Sequence, residues 1–150
     1  MKNTVIRYYK PPIGIKETQK IISKLAPYII PPLIGRVDIE EYTKKIGSYA
    51  DMINLETEED IVGNLAIYLN RAEGFITSFV IHPSFQGMGY GKKMLENAEE
   101  IAINNGIYKI CLEVYSDNYS ARQFYVKQGF VTVKQECNWI RMNKKLREEK

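Results

Sequence analysis

Apolar positions along the chain alternate between a helical spacing and a period of two. Val5-Ile6-Arg7-Tyr8-Tyr9 reads as an opening strand, closed by Pro11-Pro12. Over residues 17–26, Ile21, Ile22 and Leu25 share one helical face. Pro27, Pro31 and Pro32 then forbid helix, which makes residues 26–35 a stiff irregular connection. Asp38 with Glu41 three residues on forms a capping-box pattern, and Ile39, Tyr42, Ile46 and Tyr49 extend a second helix.

The middle of the chain switches to period two. Residues 49–55 form a strand and the acidic run 56–60 a turn. From there Ile61, Gly63, Leu65, Ile67 and Leu69 alternate with Val62, Asn64, Ala66, Tyr68 and Asn70. Residues 71–74 turn the chain and 75–81 form the next strand, so short links make these three strands antiparallel neighbours. Met94, Leu95, Ala98, Ile101 and Ala102 mark a helix over residues 94–105, ended by Asn105-Gly106. Residues 109–115 form a strand, 120–128 a short helix before Gly129, and 130–133 and 139–142 the last strands. The strand–loop–helix–strand unit between Phe75 and Val114 predicts a parallel pair with a right-handed crossover. The expected order is β-α-α-β-β-β-α-β-α-β-β around one mixed, mostly antiparallel sheet flanked by helices, an α/β (α+β) fold.

The chain has 150 residues, 45% hydrophobic and 26% charged, which suits one soluble domain over residues 1–150. A net charge of +3 on scattered lysines gives no basic stripe for nucleic acid. No apolar run reaches the roughly 18 residues of a membrane span, and Arg7 and Lys10 interrupt any signal-peptide core at the start. Cys111 and Cys137 lack metal-ligand spacing and read as reduced thiols of a cytoplasmic protein. The single histidine, His82, precedes a proline and has no nucleophile-elbow serine beside it, which argues against hydrolase chemistry and any His-rich metal site.

The distinctive stretch is Gln86-Gly87-Met88-Gly89-Tyr90-Gly91-Lys92, between strand and helix. Glycines there permit positive φ and close backbone approach, and unpaired N–H groups at the helix start converge on one point. Such a place holds a phosphate. The spacing does not fit a Walker A loop, because the second glycine position from Gly87 falls on Lys92. A dinucleotide fingerprint fails too, since its third glycine falls on Lys92 or on Met94.

What fits is Gln/Arg-x-x-Gly-x-Gly/Ala, matched by residues 86–91. A second segment, Asn118-Tyr119-Ser120-Ala121-Arg122-Gln123-Phe124-Tyr125 with Gly129-Phe130, follows in order. With both, the chain from about Ile61 to Phe130 resembles the GNAT superfamily of acyl-CoA-dependent N-acyltransferases. The resemblance implies acetyl-CoA as co-substrate, without a metal, and a primary amine on a small molecule as acceptor. It places the CoA pyrophosphate on Gln86, Gly87, Met88, Gly89, Tyr90, Gly91 and Lys92. It runs the pantetheine arm along Phe79, Val80 and Ile81, where the strands beginning at Phe75 and Lys109 splay apart, with Asn118 near the arm; the residue type equally suits Asn118 to a plain helix cap. A peptide acceptor, or a CoA-binding module without catalysis, is the alternative, and a homodimer is left open.

By the same resemblance Tyr125 is the acid that protonates the departing thiolate. An amine of ordinary pKa, about 10.4, must first lose a proton, so a base is also needed. Many relatives carry a glutamate in the strand before the loop, whereas here residues 75–81 hold Thr77 and Ser78 but no carboxylate. Glu73, Glu113 and His82 stay open as bases, as does a water relay through Tyr68 or Asn70. An imidazole has an intrinsic pKa suited to a base, but a histidine at a strand end is more often a surface residue. The acidic turn 56–60 offers charge for a cationic amine.

Overall fold

The computed structural model describes residues 3–148. Met1 and Lys2, which begin the stretch read above for a signal sequence, lie outside the described residues. Along the chain the elements are β1 (Thr4–Tyr9), α1 (Ile15–Leu25), α2 (Ile39–Tyr49), β2 (Ala50–Thr57), β3 (Ile61–Tyr68), β4 (Gly74–Ile81), α3 (Tyr90–Asn104), β5 (Lys109–Tyr115), α4 (Tyr119–Lys127), β6 (Val131–Glu136) and β7 (Trp139–Lys145). The strands form one sheet in the order β1-β2-β3-β4-β5-β7-β6, antiparallel except where β4 meets β5. Type and order of every element agree with the expected α/β arrangement. Among the described residues no helix is long and apolar enough to cross a membrane.

Alternation sorts the central strands onto two cores. Met52, Ala66 and Tyr68 pack toward α1 and α2 with Ile21, Leu25 and Ile46. Ile53, Leu55, Leu65 and Ile67 pack toward α3 and α4 with Met94, Leu95, Ala98 and Tyr125. Each fully buried Leu or Ile stabilises the fold by roughly 1.5–3 kcal/mol, so a strand apolar on both sides is driven to the middle of the sheet. Asp38 does cap α2, its Oδ1 accepting from the Glu41 N–H at 3.1 Å.

Two departures from the expected boundaries matter. Helix α3 starts at Tyr90, four residues before the predicted position 94, so Gly91 is helical rather than part of the loop. A Cβ on Gly91 would lie 3.3 Å from the Phe124 ring; the glycine serves close packing of α3 on α4. At the other end, β6 and β7 extend to Glu136 and Lys145, beyond the expected 133 and 142. Strand β6 is an edge strand, exposed throughout, so its Lys-Gln-Glu end carries no apolar signal.

Two irregularities in β4 shape the site. Its pairing with β5 comprises only Gly74 with Ile110, Phe75 with Cys111 and Ile76 with Leu112. Beyond Ile76 the two strands continue unpaired to Ile81 and Tyr115, which opens the sheet. On its other side the register with β3 skips Thr77, since Ala66 pairs with Ser78 and Ile67 with Ile76. This bulge re-aims the side chains beside the opening.

Candidate functional site

The parting of β4 and β5 makes a cleft of about 680 Å³ that passes through the sheet from one face to the other. Its two ends differ in construction. One is bounded by residues 86–92 and α4; the other by Tyr28, Arg36, Tyr42, Thr77, Glu113 and Trp139.

At the first end the donors are main chain. The His82 N–H bonds to the Val62 carbonyl at 2.8 Å. Alternation along β4 therefore turns the N–H and C=O of Phe79 and Ile81 away from β3, into the opening. The Ile81 carbonyl is taken by Gln86, whose Nε2 donates to it at 2.8 Å and ties the loop to the strand. The groups of Phe79 and the N–H of Ile81 face the cleft. Val80 contributes differently, because its main chain faces β3 and its side chain is buried in the α1/α2 core. Gly87 and Gly89 have φ of +76° and +85°, and a Cβ at either would meet no protein atom within 4 Å. The left-handed conformation calls for glycine, and the space above both is open. Gly89 caps α3 without a side-chain hydrogen bond, and no acidic residue occupies the first turn. The first N–H groups of a 15-residue helix thus point into the cleft mouth with Lys92 alongside. Met88 is exposed and does not line the cleft. The side chain of Tyr90 turns away, sharing a hydrogen bond with Thr4 at 2.8 Å.

Tyr125 stands at the middle of the cleft, on α4. Its ring packs edge-on against Phe124 and Phe130 and is tilted against Phe79. Burial among these rings pushes its phenol pKa well above the ordinary value, with no charged neighbour contributing. Among the described residues no buried side-chain oxygen lacks a partner and Tyr125 shows none, so its hydroxyl opens onto the cleft it lines. Asn118 both lines the cleft and caps α4, its Oδ1 accepting from the Ala121 N–H at 3.3 Å.

The open list of bases narrows. His82 caps the short turn Pro83–Phe85, its Nδ1 accepting from the Ser84 N–H at 3.0 Å, and its ring meets Tyr28 at 4.8 Å. It does not line the cleft. Glu73 lies at the paired end of β4, where Lys109 at 2.9 Å holds its carboxyl below the usual range. Glu113 is the single carboxylate among the cleft residues. It sits on β5 opposite Arg141 of β7, on the α1/α2 face. Tyr68 is buried, and desolvation pushes its pKa up to about 12; it reaches the cleft only through its contact with Thr77. Asn70 is exposed in the β3–β4 turn and lies outside the cleft lining. The acidic turn is committed elsewhere: Glu56 pairs with Arg7 at 3.2 Å, and Asp60 pairs with Lys24.

Arg36 and Trp139 of the second end had no signal in the sequence. Tyr42 approaches Thr77 and Ser78 across the bulge, and burial raises its phenol pKa. Arg36 stacks on Trp139 at 5.3 Å, so the proline-rich connection reaches over to β7. The Thr77-Ser78 interruption of an otherwise apolar strand was the visible trace of the bulge.

Residues 24–130 match the acetyltransferase (GNAT) family, and the chain belongs to that family. It is 37% identical to the uncharacterized N-acetyltransferase YycN of Bacillus subtilis (strain 168) over 93 residues, 59% of this chain and 56% of that protein. The matched segment thus spans little more than half of that relative. It is 28% identical over 109 residues to glucosamine 6-phosphate N-acetyltransferase of Trypanosoma brucei brucei, covering 67% of this chain and 72% of the relative. The fold is shared with PaiA N-acetyltransferase from Thermoplasma acidophilum in complex with coenzyme A, with TM-score 0.74 and 17% identity over 95% of this chain and 99% of that one.

Proposed function

We propose that the protein transfers an acetyl group from acetyl-CoA to a primary amine of a small molecule. The observation that carries this reading is the through-sheet cleft, with main-chain donors at one mouth and a single carboxylate at the other. Gln86–Gly91 amides and the α3 N-terminus hold the pyrophosphate, with Lys92 adding charge. Phe79 and Ile81 main-chain groups receive the amide-bearing arm as a sheet edge receives a strand. The thioester then lies beside Tyr125. Glu113, directly or through one water, takes a proton from the amine, whose nitrogen attacks the thioester carbon. As the carbon–sulfur bond breaks, Tyr125 gives its hydroxyl proton to the sulfur and is reprotonated from solvent. The buried phenol enters the reaction protonated.

The relative named for glucosamine 6-phosphate supports a small-molecule acceptor. Release of free thiol from acetyl-CoA, measured over a panel of amines and peptides, tests the reading. Turnover of small amines is expected. Tight CoA binding without turnover of any acceptor overturns it, and turnover confined to peptides reassigns the acceptor.

A further inference from the structure

Positive charge gathers at and beside the second end of the cleft, where Glu113 is the one lining carboxylate. Arg71, in the β3–β4 turn, lies 5.8 Å from the Phe75 ring centroid and 5.4 Å from that of Tyr68. Arg141, on β7, lies 6.0 Å from the same Phe75 ring. Arg36 lines the cleft itself, donating to the Pro31 carbonyl at 3.1 Å. Among the described residues none of the three arginines forms an ion pair with a carboxylate. Glu73, which shares the Cys111 sulfur with Arg141, is already neutralised by Lys109, and Glu113 faces Arg141 across the strand pair without an ion pair among the described residues.

Position along the sheet connects this cluster to the reaction. Phe75 pairs with Cys111, and Glu113 is two residues further on the same face, about 7 Å away. Arg141 is the direct cross-strand partner of Glu113. Guanidiniums held over an aromatic ring keep their N–H edges free for an oxyanion, which they grip through paired N–H groups.

We infer that Arg71 and Arg141, converging on Phe75, form an oxyanion subsite, so that the acceptor is a short primary amine bearing a carboxylate or a phosphate. This rests on the acetyltransferase reading of the cleft. With the acid group at Phe75, a linker of a few bonds brings the amine to Glu113.

The test uses matched probes: 2-aminoethyl phosphate against 2-aminoethanol, β-alanine against β-alaninamide, and 1,4-diaminobutane as a cation. The acidic member of each pair is expected to show a kcat/KM at least tenfold higher than its neutral partner. Which of the two acids leads separates phosphate from carboxylate. Arg71→Gln and Arg141→Gln reduce that acidic-over-neutral ratio at least tenfold, while the lysine variants restore part of it. CoA affinity by calorimetry checks that each variant is folded. Independently of turnover, the Arg71 and Arg141 Nε–H resonances of the CoA-saturated protein shift on addition of 2-aminoethyl phosphate. Acetyl transfer without charge preference, or with 1,4-diaminobutane preferred, overturns the subsite and leaves the acetyltransferase reading standing. Arginine shifts without acetylation of any amine do the reverse. Unmoved resonances together with unchanged ratios make the arginines purely packing residues.

Discussion

The two ends of the cleft are built from different materials. The end at residues 86–92 is main chain, held open by two left-handed glycines and fastened by one glutamine. The opposite end is a meeting of side chains from three strands, one helix and the connection between α1 and α2, of which Arg36, Tyr42, Thr77, Glu113 and Trp139 are members. Main-chain sites tolerate change in most side chains but not in the conformation that aims the amides. Side-chain sites behave the other way, and there each substitution removes a particular chemical group. The proposed reaction joins these ends at Tyr125.

The contrast is tested hardest at Glu113. Glu113→Gln keeps size and hydrogen bonding but removes the base, and kcat is expected to fall about 10²–10⁴-fold with acetyl-CoA affinity unaltered. An unimpaired kcat hands the proton to a water relay without a carboxylate. At the opposite end, Gly89→Val places a β-branched residue at φ +85°, with its side chain where no protein atom now lies. The strain costs about 1–3 kcal/mol, and the methyls occupy the space a phosphate needs. CoA affinity should drop about a hundredfold in calorimetry while the far-ultraviolet dichroism stays native. Undiminished affinity removes the loop from the pyrophosphate site. Tyr125→Phe preserves the ring packing on Phe124 and Phe130 and deletes only the hydroxyl. Here kcat should fall about tenfold or more with KM for acetyl-CoA steady, whereas equal turnover would end the acid assignment.

The same contrast explains what could be read in the sequence. A main-chain site leaves its mark locally, because left-handed turns demand glycine; residues 86–91 therefore announced the loop. Even there Gly91 misled, since a glycine needed for the Phe124 contact looks like one needed for a turn. The element order was legible from Leu65, Ile67 and their alternating neighbours, whose burial on both faces is a local pattern. The side-chain end was not. Glu113 alternates with buried residues and so resembles any solvated strand residue until the sheet parts beside it. Arg36 and Trp139 are about a hundred residues apart, and only the tertiary fold brings them together.

The smallest effect concerns how the side-chain end is fastened. Tyr68 contacts Thr77 of the bulge, and burial pushes its phenol up to about 12 from an ordinary 10. A folded pKa above the unfolded one means the phenol stabilises the fold fully below pH 10. That contribution is lost as pH rises through 12, because the unfolded chain ionises first. Tyr68→Phe removes both the hydroxyl's contact with Thr77 and this dependence. At pH 8 the variant should be less stable than wild type by about 1 kcal/mol in urea unfolding. Between pH 10 and 12 the gap should close, by up to about 2–3 kcal/mol in total, which carries the order past zero. Tyrosines other than Tyr42, whose charge adds to the rise at Tyr68, titrate alike in both proteins and cancel in the difference. A gap that stays constant from pH 8 to 12 would mean that Tyr68 is as accessible to ionisation in the folded chain as in the unfolded one. The acceptor end would then be held by the Tyr42 contacts with Thr77 and Ser78 alone.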